Sequence, residues 1–454
     1  MTGFKVGFSV VNANPPLGIG VSGYYVPRFA KGFLDDLEVR TLALSLADKK
    51  ILLISLPLCL ISKKKCLEYA EMIEQKTGVS KENMFISATH THTGGLIEPT
   101  DAFDADDDLT YWYSDLMGSR ILDSVVLALN DLAPARMGYI TGYAPERVAY
   151  IRRYKMKDGS TLTCPPINDP NIDYPIGELD QRVHILRFDR ENKKSVVLVN
   201  YGLHADTING EMLSSDWPHW MYKTIASALD GVESIFFNGA EGDVGSTHVF
   251  PEGGDMNDTE ISFDNEMKSP GMARFVGRAI AGTVLQVYDK VHYIDVDSID
   301  IIKKTVTVLA NVPEPEELPL AKKYKELHEA GKDDEIPYTG MQLTTVVAEA
   351  LRMCKMENHP KEIELDITGV RIGDIALVGI PGEPFTEVGV EIKKSDGYKM
   401  IMPCGLTNDY AGYFPMKEAF DEGGYEARTS TYKASVAERI IEGGKELLKE
   451  LARM

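Results

Sequence analysis

The chain of 454 residues is 44% hydrophobic and 26% charged, a balance that excludes a disordered, collagen-like or low-complexity protein. With 48 basic against 69 acidic side chains the net charge is −21, which repels nucleic-acid phosphates and anionic headgroups at long range, so nucleic acid is not an expected partner. Cys59, Cys66, Cys164, Cys354 and Cys404 are odd in number and form no CxxC pair, the N-terminus shows no secretory leader, and no apolar run is long enough to span a bilayer; the expected location is therefore cytoplasmic, with reduced cysteines.

Strand-like and helix-like patterns alternate along the chain, which predicts an α/β architecture: a layered mixed sheet with flanking helices, as one domain over residues 1–454. Leu42 to Ala47 and Ile51 to Leu58 read as a hairpin turning at Asp48, Lys49 and Lys50. A helix follows, N-capped by Ser62 and stopped at Gly78, with Cys66, Tyr69, Ala70 and Ile73 on its apolar face. Met84 to Ala88 is a short strand running into Thr89-His90-Thr91-His92-Thr93-Gly94-Gly95. A second helix is predicted after the acidic Asp104 to Asp108 patch, with Leu122, Val125, Val126 and Leu129 facing inward and its end at Pro134. Val196 to Val199, Ser234 to Phe237, Ile375 to Ile380 and Lys399 to Met402 read as further strands, each delivering a polar, glycine-containing loop. In open α/β sheets that edge is where ligands sit. Residues 314–360 are charged and helix-forming, a solvated helical insertion, and Ser435 to Leu451 is an amphipathic helix with Val436, Ile440, Ile441, Leu447 and Leu448 on its apolar side.

Gly18-Ile19-Gly20-Val21-Ser22-Gly23 matches the dinucleotide GxGxxG pattern, but Pro15 and Pro16 before it and Pro27 after it deny it the required strand and helix, so it reads as a glycine loop. His90 and His92 are two apart, which in an extended backbone turns both imidazoles to one side, and imidazole is the commonest transition-metal ligand. A hydrogen-bonded pair in a polar loop explains HxH equally well. His204 ends an apolar strand in NYGLHADT, and Glu383 precedes Pro384, where a carboxylate either caps a helix or offers an oxygen to a cation. Two histidines and a carboxylate from separate strand ends make the usual ligand set of a catalytic zinc. Arg152, next to Arg153 and ahead of an Asp158-Gly159 turn, is either hairpin surface charge or a grip for a developing oxyanion. Tyr410, Tyr413 and Tyr425 read by default as half-buried packing residues with hydrogen-bonded hydroxyls.

Together these residues resemble the neutral/alkaline non-lysosomal ceramidase family, zinc-dependent amidases that split the N-acyl bond of ceramide. The matches run in the family's order from Val6-Gly7 through SATHTHTGG, NYGLH, NGAEGDV and GEPFTEVG to NDYAGY and GGYEA, over nearly the whole chain. The resemblance implies the family's α/β catalytic domain in a short bacterial-type form, without the immunoglobulin-like C-terminal domain of its longer members. It implies His90, His204, Glu383 and Tyr413 as zinc ligands, His92, Arg152 and Tyr425 around the scissile carbonyl, and Asp243 and Ser246 as substrate contacts.

Departures from the family pattern shape the implied chemistry. The family's Gly-Asp-Val-Ser-Pro-Asn reads here Gly242-Asp243-Val244-Gly245-Ser246-Thr247, so Gly245 stands where the family has a serine regarded as catalytic, and attack by a zinc-activated water is favoured over an acyl-serine. Pro57 replaces an expected acidic residue, and Ala205-Asp206 replaces a His-Pro step. The implied function is hydrolysis of the N-acyl amide of ceramide or a related N-acylated compound. The implied partner is a small-molecule N-acyl substrate, lipids among the candidates, with no stable membrane insertion. A zinc metalloesterase or lactonase and a non-catalytic ligand-binding relative are the alternatives.

Overall fold

Strands that are apolar on both faces need cover on both faces. Val196–Tyr201 and Met84–Ala88 are such strands, buried at every position, and the chain covers them by stacking two sheets between two helical layers. The computed structural model describes residues 3–99, 108–252 and 268–454. The larger sheet runs Glu233–Asn238, Val196–Tyr201, Arg182–Arg190, Ala133–Tyr143, Lys5–Asn12, Glu38–Leu46, Lys49–Leu56 and Met84–Ala88, with His292–Ile294 also paired to Ala133–Tyr143. The smaller runs Ile299–Leu309, Glu362–Ile372, Ile375–Gly379 and Met400–Cys404. Phe85, Leu186 and Phe237 of the first meet Val370, Leu377 and Met402 of the second in the central core.

The outer face of the larger sheet is covered by the Lys63–Thr77 and Asp108–Asn130 helices on one half and by Trp217–Ala228 and Pro270–Val287 on the other. Thr386–Lys393 and the C-terminal Val436–Leu451 helix cover the smaller sheet. The expected layered mixed sheet with flanking helices is present, resolved into two stacked sheets. Among the described residues no helix is long and apolar enough to cross a membrane. All five cysteines are free thiols.

Several elements match the sequence closely. The first helix is capped by Ser62, whose hydroxyl accepts from the Lys65 N–H, buries Cys66, Tyr69, Ala70 and Ile73, and ends at Gly78 in the left-handed region. Others shift. The hairpin turns at Ala47 and Asp48 rather than Asp48 to Lys50, because pairing continues to Leu46↔Lys49. The second helix ends at Asn130, and Pro134 lies inside the strand that follows. Its buried stripe is Tyr113, Met117, Ile121, Val125 and Ala128, while Val126 is exposed. Small polar residues make that interface: Ser114 accepts from the Tyr69 hydroxyl and Ser124 bonds Ser9, contacts to which an apolar periodicity is blind. Of the acidic patch before this helix, only Asp108 lies within the described residues.

The charged 314–360 stretch forms the helices Leu318–Glu329 and Gly340–Met356, inserted between two strands of the smaller sheet around a small core of Ile336, Val346 and Val347. Its second helix docks on the short Tyr425–Thr429 helix: Arg352 Nε donates to the Arg428 carbonyl at 3.0 Å, and Glu349 pairs with the Arg428 side chain.

Candidate functional site

Parallel strands end on the same side, and here the ends of three parallel pairs converge. Lys49–Leu56 pairs with Met84–Ala88, Val196–Tyr201 with Glu233–Asn238, and Ile375–Gly379 with Met400–Cys404. The loops beyond them carry His90 and His92, His204, Glu241 to Asp243, Glu383, and Tyr410 with Tyr413. The backbone stitches these loops together: Gly242 N–H donates to the Pro384 carbonyl and Glu383 N–H to that of Gly412, each at 2.9 Å. A Cβ at Gly242 would lie 2.6 Å from the Glu383 carbonyl oxygen, so this approach needs glycine.

His90 does not continue the strand as an extended HxH pair would. Its φ is +68°, in the left-handed region, a local strain of the kind found at functional sites. The two imidazoles still meet, with His90 and His92 Nε2 3.4 Å apart. His90 Nδ1 donates to the Cys59 carbonyl at 2.7 Å and His204 Nδ1 to that of Glu241 at 2.9 Å. A carbonyl only accepts, so both Nδ1 atoms carry protons and both Nε2 atoms are turned inward. They flank Glu383 Oε2 at 3.2 and 3.1 Å.

Glu383 is 1% exposed, and Oε2 has no aligned hydrogen-bond partner, while Oε1 accepts from the Tyr410 hydroxyl at 2.9 Å. Three fully buried donors whose atoms all lie within 4.8 Å, with orienting hydrogen bonds behind each, fit a divalent cation of the zinc type. The electrostatics agree. Burial pushes the Glu383 carboxyl up, but His90 and His204 outweigh it and hold the group well below the usual carboxylate range. Burial and the Arg152 guanidinium drive His204 down to about 3, so that imidazole stays neutral with an unprotonated Nε2, which Arg152 Nη1 faces in the absence of an ion. Burial also pulls at His90, yet Glu383 and Cys59 hold it well above its ordinary value, and a cation at the same point would take the place of that proton.

The remaining predicted residues surround this point. Arg152 is no surface charge: its Nη1 lies 3.1 Å from His204 Nε2, Nη2 donates to the Tyr413 hydroxyl at 3.0 Å and to the Gly242 carbonyl at 2.8 Å, and Nε donates to Glu426 at 2.7 Å. Tyr413 and Tyr425 stack edge to face with centroids 5.6 Å apart, and the Tyr425 hydroxyl meets that of Tyr25 at 3.3 Å. Burial raises both phenols far above their ordinary value, so each keeps its proton. Glu383 does not cap a helix. It sits in a short strand paired with Tyr413, and the helix after it starts at Thr386, where Asp243 Oδ1 accepts from both the backbone N–H and the hydroxyl at 2.8 Å. Asp243 is thus bound to that helix, and Ser246 is buried beside the Val244–Gly245 strand. The glycine loop makes no strand-to-helix turn. It pairs Val21 with Gly95 and brings Gly23 against the His92 ring.

Four residues near the site were given no site role by the sequence. Tyr410 and Glu426 sit in the quoted NDYAGY and GGYEA segments, so position pointed to them even though their roles did not. Asp206, on the far side of His92, lies 3.7 Å from its Nδ1 and accepts from Tyr24 and from Lys268, the latter at 2.7 Å. Lys268 and His92 outweigh burial and hold this carboxylate well below its usual range. Glu241 is wholly buried with neither side-chain oxygen hydrogen-bonded, and burial pushes it far up, so it keeps its proton.

Neither a family model nor a curated protein matches the chain. Solved structures do. A crystal structure of neutral ceramidase from Pseudomonas aeruginosa superposes with a TM-score of 0.71 at 16% identity, covering 99% of this chain and 75% of its own. The chain has the neutral ceramidase fold. A ceramidase complexed with C2 gives 0.70 at 15% identity, covering 99% of this chain and 76% of that one. The neutral ceramidase fold accordingly extends over both sheets and both helical layers described above.

Proposed function

We propose that the chain is a zinc-dependent amidohydrolase that cleaves the N-acyl amide bond of ceramide or of a related N-acylated compound. The observation that carries this reading is the convergence of His90 Nε2, His204 Nε2 and Glu383 Oε2, the histidines 3.2 and 3.1 Å from the carboxylate, within a fold shared with a neutral ceramidase. Tyr413, tied through its hydroxyl to Arg152, is the proposed fourth ligand. Zinc bound there would lower the pKa of a water to about 7 and polarise a carbonyl.

The chain's own groups supply the rest. Arg152 is buried, charged and anchored on Glu426, with Nη1 3.1 Å from His204 Nε2; once a cation took that Nε2 lone pair, Nη1 would be left free beside the ion to stabilise a developing oxyanion. Tyr425 keeps its phenolic proton and would donate a hydrogen bond to the same oxygen. His92 stands on the open side of His90 with Asp206 behind it, a placement suited to passing a proton to the departing amine. Asp243 serves from behind, by fixing the start of the Thr386 helix beside Glu383, and Ser246 is left as a proposed substrate contact.

Metal analysis of the purified protein, paired with a labelled panel of N-acyl amides that includes ceramide and matched esters, tests the reading. The expected result is one zinc per chain, lost in His204→Ala and Glu383→Ala, with amides hydrolysed faster than esters. Tyr425→Phe should keep zinc and lose turnover. Protein that holds zinc yet hydrolyses no member of the panel would overturn it.

A further inference from the structure

Arg152 is asked to hold one orientation while buried, and a guanidinium on a flexible stem does not do that unaided. Its plane is set by where the Nε–H points, since the five N–H donors form a rigid fork. Nε donates to Glu426 Oε1 at 2.7 Å. Glu426 is itself wholly buried, and its other oxygen accepts from the Thr163 hydroxyl at 2.7 Å, with Arg153 Nε more distant at 3.9 Å. Arg153 is committed elsewhere, to Glu422 and to the Gly423 carbonyl, both at 2.9 Å. The close ionic partner of Glu426 is therefore Arg152.

We infer that Glu426 is a positioning residue: its carboxylate, clamped by Thr163, fixes the Arg152 fork so that Nη1 and Nη2 face His204 and Tyr413. This rests on the proposed hydrolytic reading of the site. Glu426 acts only through Arg152. It also follows Tyr425 directly, so one short helix carries both the hydroxyl proposed to reach the substrate carbonyl and the carboxylate that holds the arginine.

A double-mutant cycle over Glu426→Ala, Arg152→Ala and the pair, with Glu426→Gln as the conservative variant, decides the matter. Glu426→Ala is expected to lower kcat about 10- to 100-fold, with zinc retained and KM changed less than about threefold, since misplacing a catalytic group by an ångström costs on that order. Glu426→Gln, which keeps an acceptor, should recover part of the loss. In the Arg152→Ala background Glu426→Ala should cost nothing further, the coupling being the whole effect. An equal loss in both backgrounds, or an unchanged kcat, overturns the inference. A crystal structure of Glu426→Gln, or of Glu426→Ala if that variant folds, reads the same point without activity: Arg152 should leave the Tyr413 hydroxyl. An unmoved guanidinium overturns the inference even if the substrate class proves different.

Discussion

The Tyr410 hydroxyl donates to Glu383 Oε1 at 2.9 Å and so leaves Oε2 facing His90 and His204. Partners that orient a ligand are worth about 10- to 100-fold in metal affinity. Tyr410→Phe should therefore weaken zinc binding by that factor in chelator competition, with the fold intact. Unchanged affinity would show that the backbone alone aims Glu383.

Gly23 has a φ of +108°, and a Cβ there would lie 2.7 Å from His92 Cγ and Nδ1. Gly159, at +89°, has nothing within 4 Å. Gly159→Ala should cost only the backbone penalty of about 1–2 kcal/mol and leave activity unchanged. Gly23→Ala should add the displacement of His92, with turnover falling by about 100-fold. Melting curves and turnover measured on both variants separate strain from site geometry, and equal turnover in the two would remove His92 from the chemistry.

At Gly245 a Cβ would sit 3.7 Å from Arg152 Cβ, an ordinary contact. Gly245→Ser should fold with stability changed by less than about 0.5 kcal/mol and full zinc content. Ser246→Ala should keep turnover if the attacking group is a water. Loss of turnover with zinc retained in Ser246→Ala would revive attack by the serine itself in place of a water.

His184 is on the Arg182–Arg190 strand, with Nδ1 bonded to the Thr141 hydroxyl at 3.0 Å and Nε2 unpartnered. Burial, reinforced by Lys393, holds its pKa well below 6.5. The unfolded chain thus takes up a proton that the folded chain refuses once pH drops below about 6.5. The stability contributed by the neutral imidazole is complete above that pH and declines as pH falls, by up to about 1.4 kcal/mol per pH unit. His184→Gln should flatten the slope of melting temperature against pH between 6.5 and 5. An unaltered slope would mean other groups govern acid unfolding.

Much of this was legible because burial on both faces leaves a plain trace. The Met84–Ala88 strand and the Ser62-capped helix were read from apolar runs and caps alone. His90, His204 and Glu383 stood out as candidates because each follows an apolar strand in a polar loop, while their assignment as ligands came from the family resemblance and not from that placement. What could not be read was angular. The left-handed turn at His90 is set by tertiary contacts, and the inward stripe of the second helix rests on serines and a glycine that hydropathy passes over. The hydrogen bonds of Tyr410 and Glu426 join residues 27 and 274 positions apart, so no local pattern encodes them.

Because the donors are spaced from His90 to Glu383 and their anchors reach Glu426, the centre has no early version during synthesis. A cation held there would find its seat only after the chain from His90 through Glu426 has left the ribosome. Ion capture would then report completed folding, and if the proposed zinc binds only that finished state, free zinc should raise the melting temperature as its concentration rises above the dissociation constant.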